Sequence, residues 1–461
     1  MKKDFYSSSR LSFILVTMIL AIAACSKPMV LDKQNDTKAI LQISSLRTVT
    51  TPSIIQWQKC FGSSDYDDGY SIAVANDLAN PGYFLAGYTI GNNGNVTVNH
   101  GGHDAWIIKT GLDGTLKWQI AIGGTGLDEA RGVVATDDGG CIVAINTNSS
   151  DGDVTGLGYH GSGDLLLVKL NNSGAIVWKK IIGGSKGDMP NAMIKTADGG
   201  VAITGYTLSQ DGDLSGISLA DINQSVWLVK LNPDPLNPSQ SYIITMQNTF
   251  GIGSGTHGET GYSIVQTSDG NYTIAGATYS GTNSNPDIWV VNANGSGIQN
   301  WTKKIGGIYP DVAFGVASSP TNDGIVITGF TSSSDLVTLK LDNSGQQILW
   351  QTTFAGGKSG GIRGQAIIST SQGYIITGST SSNSGDIIST HGGEDLLILQ
   401  LNLNGNKVNS YTLGGSGADR GRSLIQTADG MYVVTGYTNS NNGDVFGNHG
   451  LSDVWLVKFK F

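Results

Sequence analysis

The chain ends on SDVWLVKFKF (452–461), and near-copies of this stretch occur six times upstream. They read HDAWIIKTG (103–111), GDLLLVKLN (163–171), SVWLVKLN (225–232), PDIWVVNAN (286–294), SDLVTLKLD (334–342) and EDLLILQLN (394–402). Apolar and β-branched residues alternate with polar ones behind turn-rich loops, the pattern of a strand. In most copies a short turn and a second strand follow at once, as in LVKLNNSGAIVWKKIIGG (167–184). The final copy has no such partner; a matching second strand, IIQWQKCFG (54–62), stands instead near the start, with no first strand before it. One repeat is thus divided between the two ends of the chain, and its halves must meet.

The second repeat shows the unit. An apolar strand, 131–136, turns through Asp137-Asp138-Gly139-Gly140 into 141–146. A long loop then leads to 164–170, and Asn171-Asn172-Ser173-Gly174 turns back into 175–181. These are four strands, A to D, with tight A–B and C–D turns built from Asn, Asp and Gly. A tryptophan on strand D marks the spacing at Trp57, Trp118, Trp178, Trp301 and Trp350, with Met246 and Asn409 in the other two places. Glycine at 66 residues and charged residues at only 14% fit short strands and tight turns, and no amphipathic helix is visible. Four strands repeated seven times predict an all-β seven-bladed β-propeller over 54–461, its last blade closed by 54–60 pairing with 452–461. A β-solenoid would gain nothing from a divided repeat and would want end caps.

Residues 1–24 read as a lipoprotein signal peptide. Lys2, Lys3 and Arg10 precede an apolar run, 11–24, which is too short for a comfortable transmembrane helix and leads into Cys25. LAIAACS resembles a bacterial lipobox, which makes Cys25 the lipidated residue, 25–53 a tether and the outer membrane the expected location. Removing 1–24 leaves 24 basic against 35 acidic residues, a net charge of −11. That acidity argues against a nucleic-acid partner, which needs clustered Lys and Arg. Cys60 and Cys141, in different repeats, are expected to be buried thiols rather than a disulfide framework.

The recurring residues read first as architecture. Trp106, Trp227, Trp289 and Trp455 on strand C are expected to wedge between neighbouring blades. Asp104, Asp164, Asp287, Asp335, Asp395 and Asp453 stand where a short carboxylate caps loop N–H groups.

Three segments, WKKIIGGSKGD (178–188), YSIVQTSDGNY (262–272) and DVWLVKF (453–459), give the chain a family likeness. It resembles the repeat propellers of secreted and lipid-anchored proteins of Bacteroidota and some archaea, over nearly all of the body. The resemblance implies a propeller and, for some relatives, an endoglucanase-type activity, but no catalytic motif comes with the repeat. Units four and five depart most, with shortened B–C loops.

In a propeller the long D–A and B–C loops share one face, where binding is expected. Two constellations fall there. One register gives Asp67, Asp128, Asp188, Glu259, Asp311 and Asp419, with Ile362 as the exception. These carboxylates either ring the channel mouth as a cation or polar-ligand site, with Arg131, Arg363, Arg420 and Arg422 to balance them, or cap a turn in each D–A loop. The B–C loops carry Asp151, Asp153, Asp211, Asp213, Asp386 and Asp444 around glycines, a pattern that suits Ca²⁺ but lacks the downstream Glu of an EF-hand. His100, His160, His391 and His449 recur there, one per blade, too dispersed for a shared zinc site. The plainer account is that the aspartates cap the loop and the histidines pack on it. No G-x-S-x-G, H-E-x-x-H or P-loop appears. The expected function is a non-catalytic binding module for a glycan, protein or peptide; the alternative is a polysaccharide hydrolase using carboxylates of the ring.

Overall fold

The computed structural model describes residues 54–75, 77–219, 224–252, 258–279, 285–331, 335–356, 361–388 and 391–461. The chain divides into Met1–Ser53 and Ile54–Phe461. The first unit, and with it Cys25 and the tether, lies outside the described residues.

Strand pairing gives seven four-stranded antiparallel sheets. Six are consecutive in sequence, and the seventh joins Asp419–Gln426, Tyr432–Thr438 and Asp453–Phe459 to Ile55–Phe61. In that seam Cys60 stands opposite Trp455 and Phe61 opposite Val454. Trp455 Nε1 donates to Gln58 Oε1 at 2.8 Å, so side chains as well as backbone join the two ends. Each strand A packs beside the next, and that of blade seven beside that of blade one, which closes the ring. Blades are numbered one to seven from Asp67.

The ring has no single core. Among the described residues the buried apolar side chains fall into seven clusters, each drawn from two adjacent blades. The strand-C tryptophans sit inside them as expected: Trp227 packs with Val134 and Leu165 of the preceding blade, and Trp455 with Ile375 and Leu396. The strand-D tryptophans form a second contact between blades. Trp118 Nε1 donates to the Asn172 carbonyl at 2.8 Å, and its ring covers Gly174 in the C–D turn of the next blade, where a Cβ would come within 2.8 Å of it. Trp350 meets Gly405 in the same way, and Trp57 meets Gly114 across the seam. In blade three, Met246 covers Gly297 instead.

Strand-C lysines hold the opposite face together. Lys169, Lys340 and Lys458 reach the A–B turn aspartates Asp138, Asp323 and Asp429 at 2.6–2.9 Å. Cys141 is buried and Cys60 partly so; both are free thiols, and burial pushes Cys141 up to about 12.

Strand A starts earlier than the alternation suggested. In blade two it runs Asp128–Ala135, not from 131, because a β-bulge interrupts the register between Ala130 and Gly132. The residues before the bulge lose the period-two pattern that identifies a strand.

Candidate functional site

The bulge recurs in all seven blades, between Gly69/Ser71, Ala130/Gly132, Pro190/Ala192, Gly261/Ser263, Ala313/Gly315, Gly364/Ala366 and Gly421/Ser423. A bulge leaves one residue unpaired and re-aims its side chain. Those residues are Tyr70, Arg131, Asn191, Tyr262, Phe314, Gln365 and Arg422, and all seven line one cavity of about 390 Å³ on the channel axis. The next residue in each blade is Ser, Gly or Ala, where the strands crowd together: a Cβ on Gly132 would lie 2.8 Å from Met193. The residue after that is apolar and belongs to a seam, as with Ile72, Val133 and Ile367. The repeat is therefore fixed on both sides of this variable position.

The mouth above this ring has two sectors. Across blades six, seven, one and two it is charged. Arg422 donates to Asp68 Oδ2 through Nη2 at 2.9 Å and through Nε at 3.2 Å. Tyr70 lies 4.3 Å from the Arg131 guanidinium and 5.4 Å from that of Arg422. Arg131 pairs with Glu129, whose other oxygen is 3.1 Å from His103 Nδ1. His103 stacks on Tyr88 at 4.4 Å, and Arg420 Nε donates to Glu394 at 2.6 Å. Burial pushes the Asp68 carboxyl up against the pull of Arg422, and pushes Tyr88 up to about 12. Across blades four and five the mouth is aromatic: Tyr262 meets Phe314 at 5.2 Å, and Phe314 meets Phe330 at 5.8 Å. Arg363 lies over Phe330 at 5.2 Å.

The six carboxylates read as a ring do not present themselves at that mouth. Asp67, Asp128, Asp188, Glu259 and Asp419 are fully buried and Asp311 nearly so. Asp128 takes the Gly124 N–H at 2.9 Å, Ser149 Oγ at 2.6 Å and Thr147 Oγ1 at 2.5 Å, tying the D–A loop to the end of strand B. Asp188 repeats this with Gly184, Ser209 and Thr207, and Asp419 with Gly415, Ser440 and Thr438. Asp67 takes Ser63 N–H at 2.7 Å, Asp311 takes Gly307 N–H at 3.1 Å, and Glu259 takes Ile252 N–H at 3.3 Å. The turn-capping account describes all six. Ile362, the exception, is buried in the seam between blades five and six.

Except at Glu259, where strand C of the preceding blade begins with Ser225, a strand-C aspartate lies against the glycine that precedes each clamp. A Cβ on Gly123 would lie 2.7 Å from both Asp104 Oδ1 and Asp128 Oδ2, which explains the recurrent Ile-Gly-Gly after strand D. Asp104, Asp164, Asp395 and Asp453 accept the backbone N–H of His100, His160, His391 and His449 at 2.8–3.1 Å. His391 Nε2 then reaches Asp444 of the next blade at 3.4 Å and His100 Nε2 reaches Asp153 at 3.8 Å, so these two histidines join blades.

The B–C loop aspartates also point at backbone donors. Asp151 accepts Thr125 N–H at 2.8 Å, Asp211 accepts Ser185 N–H at 2.8 Å, and Asp386 accepts Ala355 N–H at 2.7 Å. Asp153, Asp213 and Asp444 face the N–H groups of Gly123, Gly183 and Gly414 at 3.2–3.3 Å. An oxygen facing an N–H donor is poorly placed for a cation, and among the described residues no three metal-ligating side chains converge. The intervening glycine of each Asp-Gly-Asp is required: Gly152 has φ 58°, and a Cβ there would lie 2.4 Å from the Gly123 carbonyl.

The buried carboxyls predict an acid-side stability maximum. Burial, with Asp453 beside it, holds Asp67 up to about 6, and burial holds Asp164 up to about 6. The fold then binds more protons than the unfolded chain between roughly pH 4 and 6, so stability falls as pH rises through that window. Asp429, hydrogen-bonded by Lys458, is held down to about 2; its contribution is present above roughly pH 4 and lost toward pH 2. Urea midpoints should therefore be higher near pH 5 than at pH 8 or pH 2.5, whereas a continuous rise from pH 4 to 8 would contradict the assignment.

No family model and no curated protein matches the chain. Among solved structures it is similar to the periplasmic gluconolactonase of Pseudomonas aeruginosa, at 13% identity and TM-score 0.48 over 82% of this chain and 98% of that one. It is similar to the Pan2 WD40 domain of Neurospora crassa at 10% identity and TM-score 0.46, over 87% and 98%. A protein of unknown function from Bacteroides caccae is similar at 14% identity and TM-score 0.36, over 68% and 97%. The blade count rests on the chain's own strand pairing, and none of these likenesses bears on a ligand. Among the described residues no helix is long and apolar enough to cross a membrane.

Proposed function

We propose that the protein is a cell-envelope lipoprotein, anchored at the outer membrane through Cys25, whose propeller binds a glycan, protein or peptide without catalysis. The ligand is taken at the channel mouth on the long-loop face. One observation carries this reading: seven bulges deliver seven side chains of differing chemistry to one cavity, while their neighbours in the repeat stay small or apolar. Binding sites are concave, with polar groups placed among aromatic ones, as Arg131, Asn191, Gln365 and Arg422 are placed among Tyr70, Tyr262 and Phe314. A hydrolase would need a pair of carboxyls open to substrate, and the six considered for that role are buried within loop clamps. The basic start, the apolar run and Cys25 support the anchor.

Glycan and peptide arrays probed with the purified protein test the binding, and labelling of cells with a palmitate analogue tests the anchor. The expected outcome is array binding that falls about tenfold or more in the Arg131→Gln/Phe314→Ala double variant, with label lost only in Cys25→Ala. Equal binding by the double variant would overturn the site, and sustained turnover of a bound glycan would overturn the non-catalytic reading.

A further inference from the structure

A second cavity, of about 550 Å³, opens between blades three and four and is lined by Asn191, Tyr206, Gln224, Gly258, Thr260, Tyr262 and Tyr279. Asn191 and Tyr262 also line the axial cavity, so the two adjoin. Among the described residues the lining contains three tyrosines, two amides and a hydroxyl, and no charged side chain. Its amides are anchored on one side. Gln224 Nε2 donates to the Glu259 carbonyl at 3.0 Å and to Thr260 Oγ1 at 2.7 Å, and Asn191 Nδ2 donates to the Gly261 carbonyl at 2.9 Å. Gly258 makes room for this arrangement, since a Cβ there would lie 2.0 Å from Gln224 Cβ. Burial raises Tyr206 and Tyr262, which therefore stay neutral and can both donate and accept.

We infer that this cleft binds a neutral saccharide unit, a refinement that rests on the channel mouth being the binding site. A pyranose presents a flat C–H face and a rim of hydroxyls. Tyrosine rings suit the first, offering large rigid apolar area, and fixed amide and hydroxyl groups suit the second. An anionic ligand would call for a cation, and no described residue of the cleft lining carries one; Arg131 stands on the neighbouring blade two, close enough for its charge to act on Tyr206, and Arg422 stands on blade seven.

Calorimetric titration of the full chain in detergent tests the inference, with cellotetraose, xylotetraose and mannotetraose as neutral probes and tetragalacturonate as the acidic one. At least one neutral probe should bind. Tyr279→Ala and Tyr206→Leu should each weaken it about tenfold without moving the melting temperature, while Lys117→Ala, on the opposite face, should leave it unchanged. Tyr279→Phe, which keeps the ring, should retain binding, so loss in Tyr279→Ala is separable from misfolding. Absence of neutral binding, or neutral binding indifferent to both tyrosine variants, overturns the inference. If tetragalacturonate alone binds, and does so through Arg131, the saccharide assignment of this cleft fails while the channel-mouth reading stands.

Discussion

A chain cut before residue 452 should show no cooperative melting transition. The lost strand, Asp453–Phe459, lies inside its sheet, bonded to Tyr432–Thr438 on one side and Ile55–Phe61 on the other. Its faces belong to different seams: Val454 and Leu456 pack toward blade one, and Trp455, Val457 and Phe459 toward blade six. Removing it leaves two of the seven clusters incomplete and the first strand unpaired. Each large buried side chain lost costs roughly 3 kcal/mol or more, against a total stability on the order of 5–15 kcal/mol. The full-length variant Val454→Asp/Leu456→Asp/Phe459→Asp should behave alike, because it buries charge in both seams. Circular dichroism melts decide the matter; a variant that melts like the parent would refute both closure and the count of seven.

Arg422→Met should lower stability by about 3 kcal/mol, the scale expected when one member of a buried ion pair is removed. Asp68 is only 5% exposed, and its Oδ2 takes both bonds from Arg422. Without that guanidinium its carboxylate is buried without a hydrogen-bonded cation, with only the charge of Arg131 left to oppose burial, beside the ring of Tyr70, whose hydroxyl burial already pushes up. The loss should be larger at pH 8 than at pH 5, because a carboxyl with a raised pKa is protonated at little cost on the acid side and destabilises the fold as pH rises. Asp68→Asn in the same chain should recover most of it, since the charge is then gone. Urea titrations of the single and double variants measure this. A double variant no more stable than Arg422→Met would show that the pair does not set the cost.

The closing seam was legible because strand C copies itself seven times and strand D carries a tryptophan, so both halves of the divided repeat were recognisable apart. The strand-C tryptophans were legible for a related reason: a large apolar ring recurring at one place in four of the seven repeats has few places to go except between blades. The first three residues of strand A were not, because the bulge after them breaks the alternation that identifies a strand. Spacing located Asp128, Asp188 and Asp419 in one register but could not show where their side chains turn. Their partners settle it: the hydroxyls 19 and 21 residues later, Thr147 and Ser149 in blade two and Thr438 and Ser440 in blade seven. That Thr-x-Ser at the end of strand B is visible in the sequence and marks a clamp. The bulged position is visible too, as a residue of strand A that changes chemistry from repeat to repeat between neighbours that stay small. The repeated carboxylates three residues before it give the stronger periodic signal and mask it. The strand-C lysines could not be assigned without the register that brings Lys169 to Asp138.

Whether ligand enters at the bulged ring is decided most directly by hydrogen–deuterium exchange, with and without the strongest array ligand. The account predicts slowed exchange at the starts of strands A, around Tyr70, Arg131, Tyr262 and Phe314, and at the strand-B ends carrying Tyr88, Tyr206 and Tyr437. Exchange in the tight turns at 137–140 and 171–174, on the opposite face, should not change. Protection confined to those turns, with the bulged ring unaffected, would contradict it.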